Sequence, residues 1–211
     1  MAEEGKKAKK GHGAKGPRQE FSADEAKRIV TEGLEGKATK DRDAALIRMG
    51  METGFRASEL LSMKVGDVWR HDKLRASVTV SKVRMKGKKN SRTVPLRDTL
   101  TPFLQPICQN QGENEWLFRS SFKDKEGMYP VLSYRQALRV VKGAAERVGV
   151  LEDVSGTHSL RKTFAMRIYH QTHDVYRTKE ALGHTAISST ERYLRLNEKN
   201  TVQTIRDLPN L

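Results

Sequence analysis

At 211 residues the chain is long enough for one sizeable domain or two small ones, and only 36% of it is hydrophobic while 31% is charged. Its 40 Lys and Arg against 26 Asp and Glu leave a formal charge of +14 at pH 7. That excess favours a polyanionic partner, most commonly nucleic acid, over a protein that is merely basic and soluble.

Residues 1–20 carry six Lys or Arg against three Glu and almost nothing apolar. Such a segment cannot bury enough surface to offset its ordering entropy, so it is predicted to be a disordered basic tail, either a phosphate-binding arm or an inert leader. It lacks the hydrophobic core of a signal peptide, and no run in the chain approaches the ~18 apolar residues of a membrane span. The expectation is a soluble protein with no membrane partner. It would be cytoplasmic and nucleoid-associated in a prokaryotic or viral setting, and nuclear in a eukaryotic one.

Ordered structure is expected from Phe21, where Ser22 can cap a helix with Glu25 three residues on. Val30, Leu34, Ala44, Leu46, Ile47, Met49 and Met51 suggest two helices separated by the polar turn 36–39. Gly54 stands where the second would end. Residues 73–97 change to period two (Val78, Val80, then Val94, Leu96) about a basic turn near Gly87, which predicts a β-hairpin. That span holds nine cations and no acid: Lys73, Arg75, Lys82, Arg84, Lys86, Lys88, Lys89, Arg92 and Arg97. A solvated face normally mixes signs, so this one is expected to meet phosphates, with Lys82, Arg84, Lys88, Lys89 and Arg92 as DNA contacts.

Residues 98–109 read as a helix with Pro102 in its first turn and a break or kink at Pro106. Cys108 is the single cysteine, which excludes an intrachain disulfide and a multi-cysteine zinc site and fits a reducing compartment. Trp116, Leu117 and Phe118 read as a short buried strand or turn. Ser133 can cap the next helix, whose apolar stripe is Leu138, Val141, Ala145 and Val148. On another face Arg135, Arg139 and Lys142 recur at i, i+4 and i+7, to lie against a DNA groove or in water.

The densest chemistry lies in residues 156–193. His158 and Arg161 fall one turn apart on a predicted helix, 157–172. Asp174 can cap the next helix, which ends near Gly183. His184 follows, and a helix starting at Ser188 or Ser189 carries Tyr193. Each residue alone reads more readily as structural, and Tyr169 and Tyr176 are as prominent as Tyr193. Together they offer two imidazoles, a fixed positive charge and a phenol, groups that can bind a phosphate diester and attack it. The pattern as a whole predicts a mainly helical α+β domain with a small antiparallel sheet on one edge.

Three boxes in order resemble the tyrosine recombinase (phage integrase) family, which shares its catalytic core with type IB topoisomerases. They are Thr53-Gly-Phe-Arg56-Ala-Ser-Glu-Leu60, Thr157-His158-Ser-Leu-Arg161-Lys-Thr-Phe-Ala165, and Leu182-Gly-His184 running to Tyr193. The resemblance covers residues 21–198 and leaves 199–211 as a short C-terminal helical segment, a candidate for exchange between subunits. It implies that Arg56 and Arg161 bind the non-bridging oxygens of the scissile phosphate, that His158 and His184 donate or shuttle protons there, and that Tyr193 is the nucleophile. The family's hairpin lysine falls on Lys86, with Lys88 and Lys82 as alternatives because the turn departs from the usual spacing before Arg92-Thr-Val-Pro-Leu96. The family usually has a further helical domain ahead of this one. Here only the basic tail precedes it, as in some small DNA-inverting members or in an excised catalytic domain.

The implied function is site-specific cutting and rejoining of double-stranded DNA by a homotetramer on paired sites, with a 3′-phosphotyrosyl intermediate and no metal or cofactor. Relaxation of supercoils by the same chemistry, and DNA binding by a protein with a relict site, are the rival readings.

Overall fold

The computed structural model describes residues 20–80, 91–150 and 156–194, with positions 206 and 209. The basic tail 1–19, the hairpin cations Lys82, Arg84, Lys86, Lys88 and Lys89, and nearly all of 199–211 lie outside the described residues.

The chain enters through α1 (Ala23–Thr31), capped reciprocally by Ser22 and Glu25 as its sequence predicts: Glu25 N donates to Ser22 Oγ at 3.2 Å and Ser22 N to Glu25 Oε2 at 2.8 Å. Helix α2 (Lys40–Thr53) is the axis of the fold. It has no solvent-facing side over most of its length, being buried from Asp43 to Thr53 except at Arg48, and such a helix must be covered all round. Ala45, Leu46 and Met49 face a core shared with the sheet and α5 (Thr101–Cys108). Ala44, Ile47 and Met51 face a second core with α1, α6 (Tyr134–Arg147) and Leu160 of α7 (Thr157–Thr172).

Two short helices, α3 (Ala57–Leu60) and α4 (Val65–Val68), lead into two antiparallel ribbons. Strands β1 (Trp69–Arg70) and β2 (Lys73–Leu74) are joined through His71 and Asp72 at φ 49° and 55°. Two consecutive positive φ values suit a tight two-residue hairpin, and the sequence pattern does not announce this ribbon because His-Asp lacks the usual glycine. Strands β3 (Ser77–Val80) and β4 (Arg92–Pro95) pair antiparallel as expected, Val78 to Val94 and Val80 to Arg92, and the turn expected near Gly87 lies outside the described residues.

Helix α5 runs through Pro106 rather than breaking there. The missing N–H would have bonded the carbonyl of Pro102, so one hydrogen bond is lost in a helix that ends two residues later. Cys108, the last residue of α5, is buried, and burial pushes its thiol up to about 12, where it is inert. Ser133 caps α6 by a second reciprocal box with Gln136. Asp174 caps α8 (Val175–Leu182), accepting from Tyr176 N and Arg177 N at 2.7 and 3.1 Å. Helix α9 (Ile187–Leu194) starts one residue before Ser188. A third apolar cluster, Phe164, Ala165, Leu182 and Leu194, packs α7, α8 and α9 together. Among the described residues no helix is long and apolar enough to cross a membrane, and no group of three metal-binding side chains occurs.

Candidate active site

Three helix boundaries meet at one place. The first is the C-terminus of α2, where Gly54 takes the left-handed conformation (φ 60°) and turns the chain outward. A Cβ there would meet Phe164 Cδ1 at 2.2 Å, so both dihedral and space demand glycine. Two residues on, Arg56 occupies the N-cap position of α3, its side chain 38% exposed. Its backbone N–H donates to Glu59 Oε2 at 2.7 Å and its Nη1 to Glu59 Oε1 at 3.2 Å.

Helix α7 supplies the second box. His158 is exposed, while Arg161 one turn later is 3% exposed. Both line a cleft of about 170 Å³ with Arg56, Ala57, Ser58, Tyr134 and Thr157. Arg161 Nη1 donates to Gly54 O and Nη2 to Leu182 O at 2.6 Å, so this guanidinium ties the end of α2 to the end of α8. Burial, then Arg56 and Arg92, push it down to about 9, against the opposing attraction of Tyr193 and Glu59. It stays cationic at neutral pH, as arginine does in proteins generally.

The third box begins where Gly183 (φ 63°) ends α8. His184 Nδ1 pairs with Thr190 Oγ1 at 2.9 Å; Thr190 is fully buried and fixes the ring from the next helix. The Tyr193 ring stands edge-on to His184, centroids 5.8 Å apart at 75°. The Tyr193 hydroxyl donates to His158 O at 3.3 Å. The phenol is therefore half-buried against the third cluster, with its polar end beside the second box.

Arg56, His158, Arg161, His184 and Tyr193 thus come together from four helices. Lys86, with its alternatives Lys82 and Lys88, and the expected DNA contacts Arg84 and Lys89 lie outside the described residues. Arg135, Arg139 and Lys142 are all exposed along α6, in keeping with an outward basic face. Arg92 departs from the expectation of a surface phosphate contact. Its side chain is 12% exposed, its guanidinium lies 4.8 Å over the Phe55 ring, and its Nη2 donates to Thr53 O at 2.7 Å and to Ala181 O. The reason is register: Arg92 shares the inward face of β4 with Val94 and must find partners inside.

Sequence spacing alone does not single out Glu59, which is 1% exposed at the centre of the three arginines. Its Oε2 lies 4.0 Å from both Arg92 Nη1 and Arg161 Nη1, besides its two contacts with Arg56. One buried carboxylate offsets the mutual repulsion of three guanidiniums crowded at a helix end. The available signal is its place three residues after Arg56, the position from which a Glu reaches back to a helix cap. Tyr134, which lines the cleft, is equally unmarked in the sequence.

Fold and site define a mainly helical domain that gathers cations and imidazoles around one phenol. Residues 19–200 match the phage integrase family, and the chain belongs to that family. Among its relatives, the probable integrase/recombinase YoeC of Bacillus subtilis (strain 168) is 34% identical over 160 residues, covering 76% of this chain and 81% of that protein. Tyrosine recombinase XerC of Thermodesulfovibrio yellowstonii is 30% identical over 189 residues, 87% of this chain and 60% of XerC. The chain therefore spans about three fifths of that XerC. The XerH site-specific recombinase in a post-cleavage complex with palindromic difH substrate shares the fold at a TM-score of 0.66 and 23% identity, over 90% of this chain and 53% of XerH. The catalytic domain of bacteriophage HP1 integrase does so at a TM-score of 0.58 and 21% identity, over 91% of this chain and 96% of that domain.

Proposed function

We propose that the protein is a site-specific DNA recombinase that cuts and rejoins duplex DNA through a 3′-phosphotyrosyl intermediate, without metal or ATP. The observation that carries this reading is that Arg56, His158 and Arg161 line one cleft, while the Tyr193 hydroxyl bonds the His158 carbonyl and the Tyr193 ring stands against His184. A phosphodiester repels nucleophiles by its own charge, and that charge grows on the equatorial oxygens during attack. Two guanidiniums held in place before the reaction stabilise it where it forms. Loss of one such donor typically costs ~2.7–4 kcal/mol of barrier.

Tyr193 attacks phosphorus; its proton passes to His158, and the attraction between Arg161 and Tyr193 favours the phenolate. His184, oriented by Thr190, donates to the phosphate. The P–O5′ bond breaks, the departing oxygen takes a proton from the hairpin lysine, assigned to Lys86, and a free 5′-hydroxyl remains. The phosphotyrosyl ester retains the bond energy, so a second 5′-hydroxyl can reverse the step on a new strand. Exchange between two duplexes requires four such sites, hence a homotetramer on paired DNA sites.

The test is a denaturant-stable protein–DNA adduct on a pool of nicked duplexes with randomised flanks. Wild type accumulates it, and Tyr193→Phe binds the same DNA without forming it. Tyr193→Phe retaining every DNA activity would instead identify a DNA-binding protein with a relict site. Relaxation of any supercoiled plasmid without paired sites would identify a topoisomerase. For the lysine, DNA with sulfur at the 5′ bridging position restores cleavage by Lys86→Ala, because sulfur leaves without an acid; failure of that rescue removes Lys86 from the role.

A further inference from the structure

Arg92 makes contacts that the strand-cleavage scheme does not use. Its Nη2 donates to Thr53 O at 2.7 Å and to Ala181 O, and its Nη1 to Gly54 O at 3.4 Å. Thr53 is the last residue of α2 and Gly54 its C-cap, two positions before Arg56; Ala181 lies in the last turn of α8, two positions before Gly183. The last carbonyls of a helix have no partner within it and carry the negative end of its dipole, so a guanidinium between two such ends satisfies both. Arg161 spans the same two turns through Gly54 O and Leu182 O. The Gly183 backbone also lies directly on the arginine stem: a Cβ there would meet Arg92 Cδ at 3.0 Å.

We infer that Arg92 is a positioning residue for strand cleavage, fixing the turn that carries Arg56 against the turn that carries His184. The inference rests on the recombinase reading above. Arg92 acts from beneath, through backbone carbonyls: unlike Arg56 and Arg161 it does not line the cleft, and its guanidinium is stacked on Phe55 with its terminal nitrogens on carbonyls of both turns. Lysine cannot substitute, because one ammonium on a flexible stem lacks the planar fork that reaches carbonyls on two turns at once. Small displacements matter here, since a misplacement of about 1 Å in a catalytic group costs on the order of a hundredfold in rate.

The test compares wild type, Arg92→Lys and Arg92→Met, with Thr79→Ala as a control. Thr79 pairs with Thr93 at 2.8 Å on the exposed face of the same strand pair, opposite the inward face that carries Arg92. Three quantities are read: the single-turnover rate constant for adduct formation at saturating DNA, its end point, and the salt slope of non-covalent binding. Arg92→Lys should lower the rate constant roughly tenfold to a hundredfold while leaving the salt slope unchanged. Thr79→Ala should leave the rate constant at the wild-type value. A fall of about 0.9 in the salt slope of Arg92→Met would show that Arg92 neutralises a phosphate and would overturn the inference. So would a wild-type rate constant in Arg92→Lys, or a loss confined to the end point in proportion to the unfolded fraction. Arg92→Lys carries the rate test alone if Arg92→Met does not fold. An absence of adduct in wild type would remove the recombinase reading itself, an outcome distinct from any of these.

Discussion

Strand β4 and helix α6 both carry arginine, and the fold treats them in opposite ways. Along α6, Arg135, Arg139 and Lys142 stand exposed behind a stripe of buried Ala137, Val141, Ala144 and Ala145. On β4, Arg92 occupies the inward register with Val94, while Thr93 and Pro95 face water. The difference teaches that charge sets neither fate; the face on which the residue falls does. A cation on the wet face needs no partner and is available to a polyanion. One on the apolar face must be met by its surroundings, here by carbonyls at two helix ends, the Phe55 ring and Glu59. Burial, relieved by Glu59 and reinforced by Arg56, pushes Arg92 down to about 10, which still leaves it charged at neutral pH.

The sharpest way to break this contrast is to remove the shared anion. Glu59→Ala leaves three guanidiniums without their common partner, and loss of one member of a buried ionic cluster costs about 3–5 kcal/mol. Urea denaturation should show it as a lowered midpoint, and a loss below about 1 kcal/mol would mean that the cluster is not held by Glu59. Next is Gly183→Ala, which forces a side chain into the left-handed region and against Arg92, with an expected cost of about 1–2 kcal/mol from the backbone alone. An unchanged midpoint would show that the turn can relax away from the arginine. Ser133→Ala removes the α6 cap and should cost ~1 kcal/mol, placing the outer basic helix below the buried cluster in sensitivity. Smallest in stability is the triple change Arg135→Gln, Arg139→Gln, Lys142→Gln, expected within about 0.5 kcal/mol. Its effect should appear in DNA binding, as a salt slope reduced by about 0.9 for each phosphate no longer neutralised. An unchanged slope would assign that face to solvent.

Much of the architecture is legible in the sequence because local chemistry and global packing agree. Ser22, Ser133 and Asp174 cap the helices they are expected to cap, and Gly54 and Gly183 end theirs. The five site residues outside the hairpin turn are legible only jointly, since each alone has a commoner structural use. What is not legible depends on partners distant in sequence. Glu59 gains its meaning from Arg92 and Arg161, which lie 33 and 102 positions further on. Thr190 matters because the chain folds it under His184. The inward turn of Arg92 is within reach, since Arg92, Val94 and Leu96 alternate on one face. The run of nine cations in that span points outward instead, and it masks the alternation.

Strand cleavage as proposed joins one particular phenol, that of Tyr193, covalently to DNA. Tyr134 lines the cleft with Arg56, His158 and Arg161, and Tyr169 and Tyr176 lie on α7 and α8. The most direct measurement is therefore to digest the trapped adduct and locate the nucleotide-bearing peptide by mass. The expected result is a phosphodiester on Tyr193 joined to a 3′ DNA end. A link to any other residue, or to a 5′ end, would contradict it.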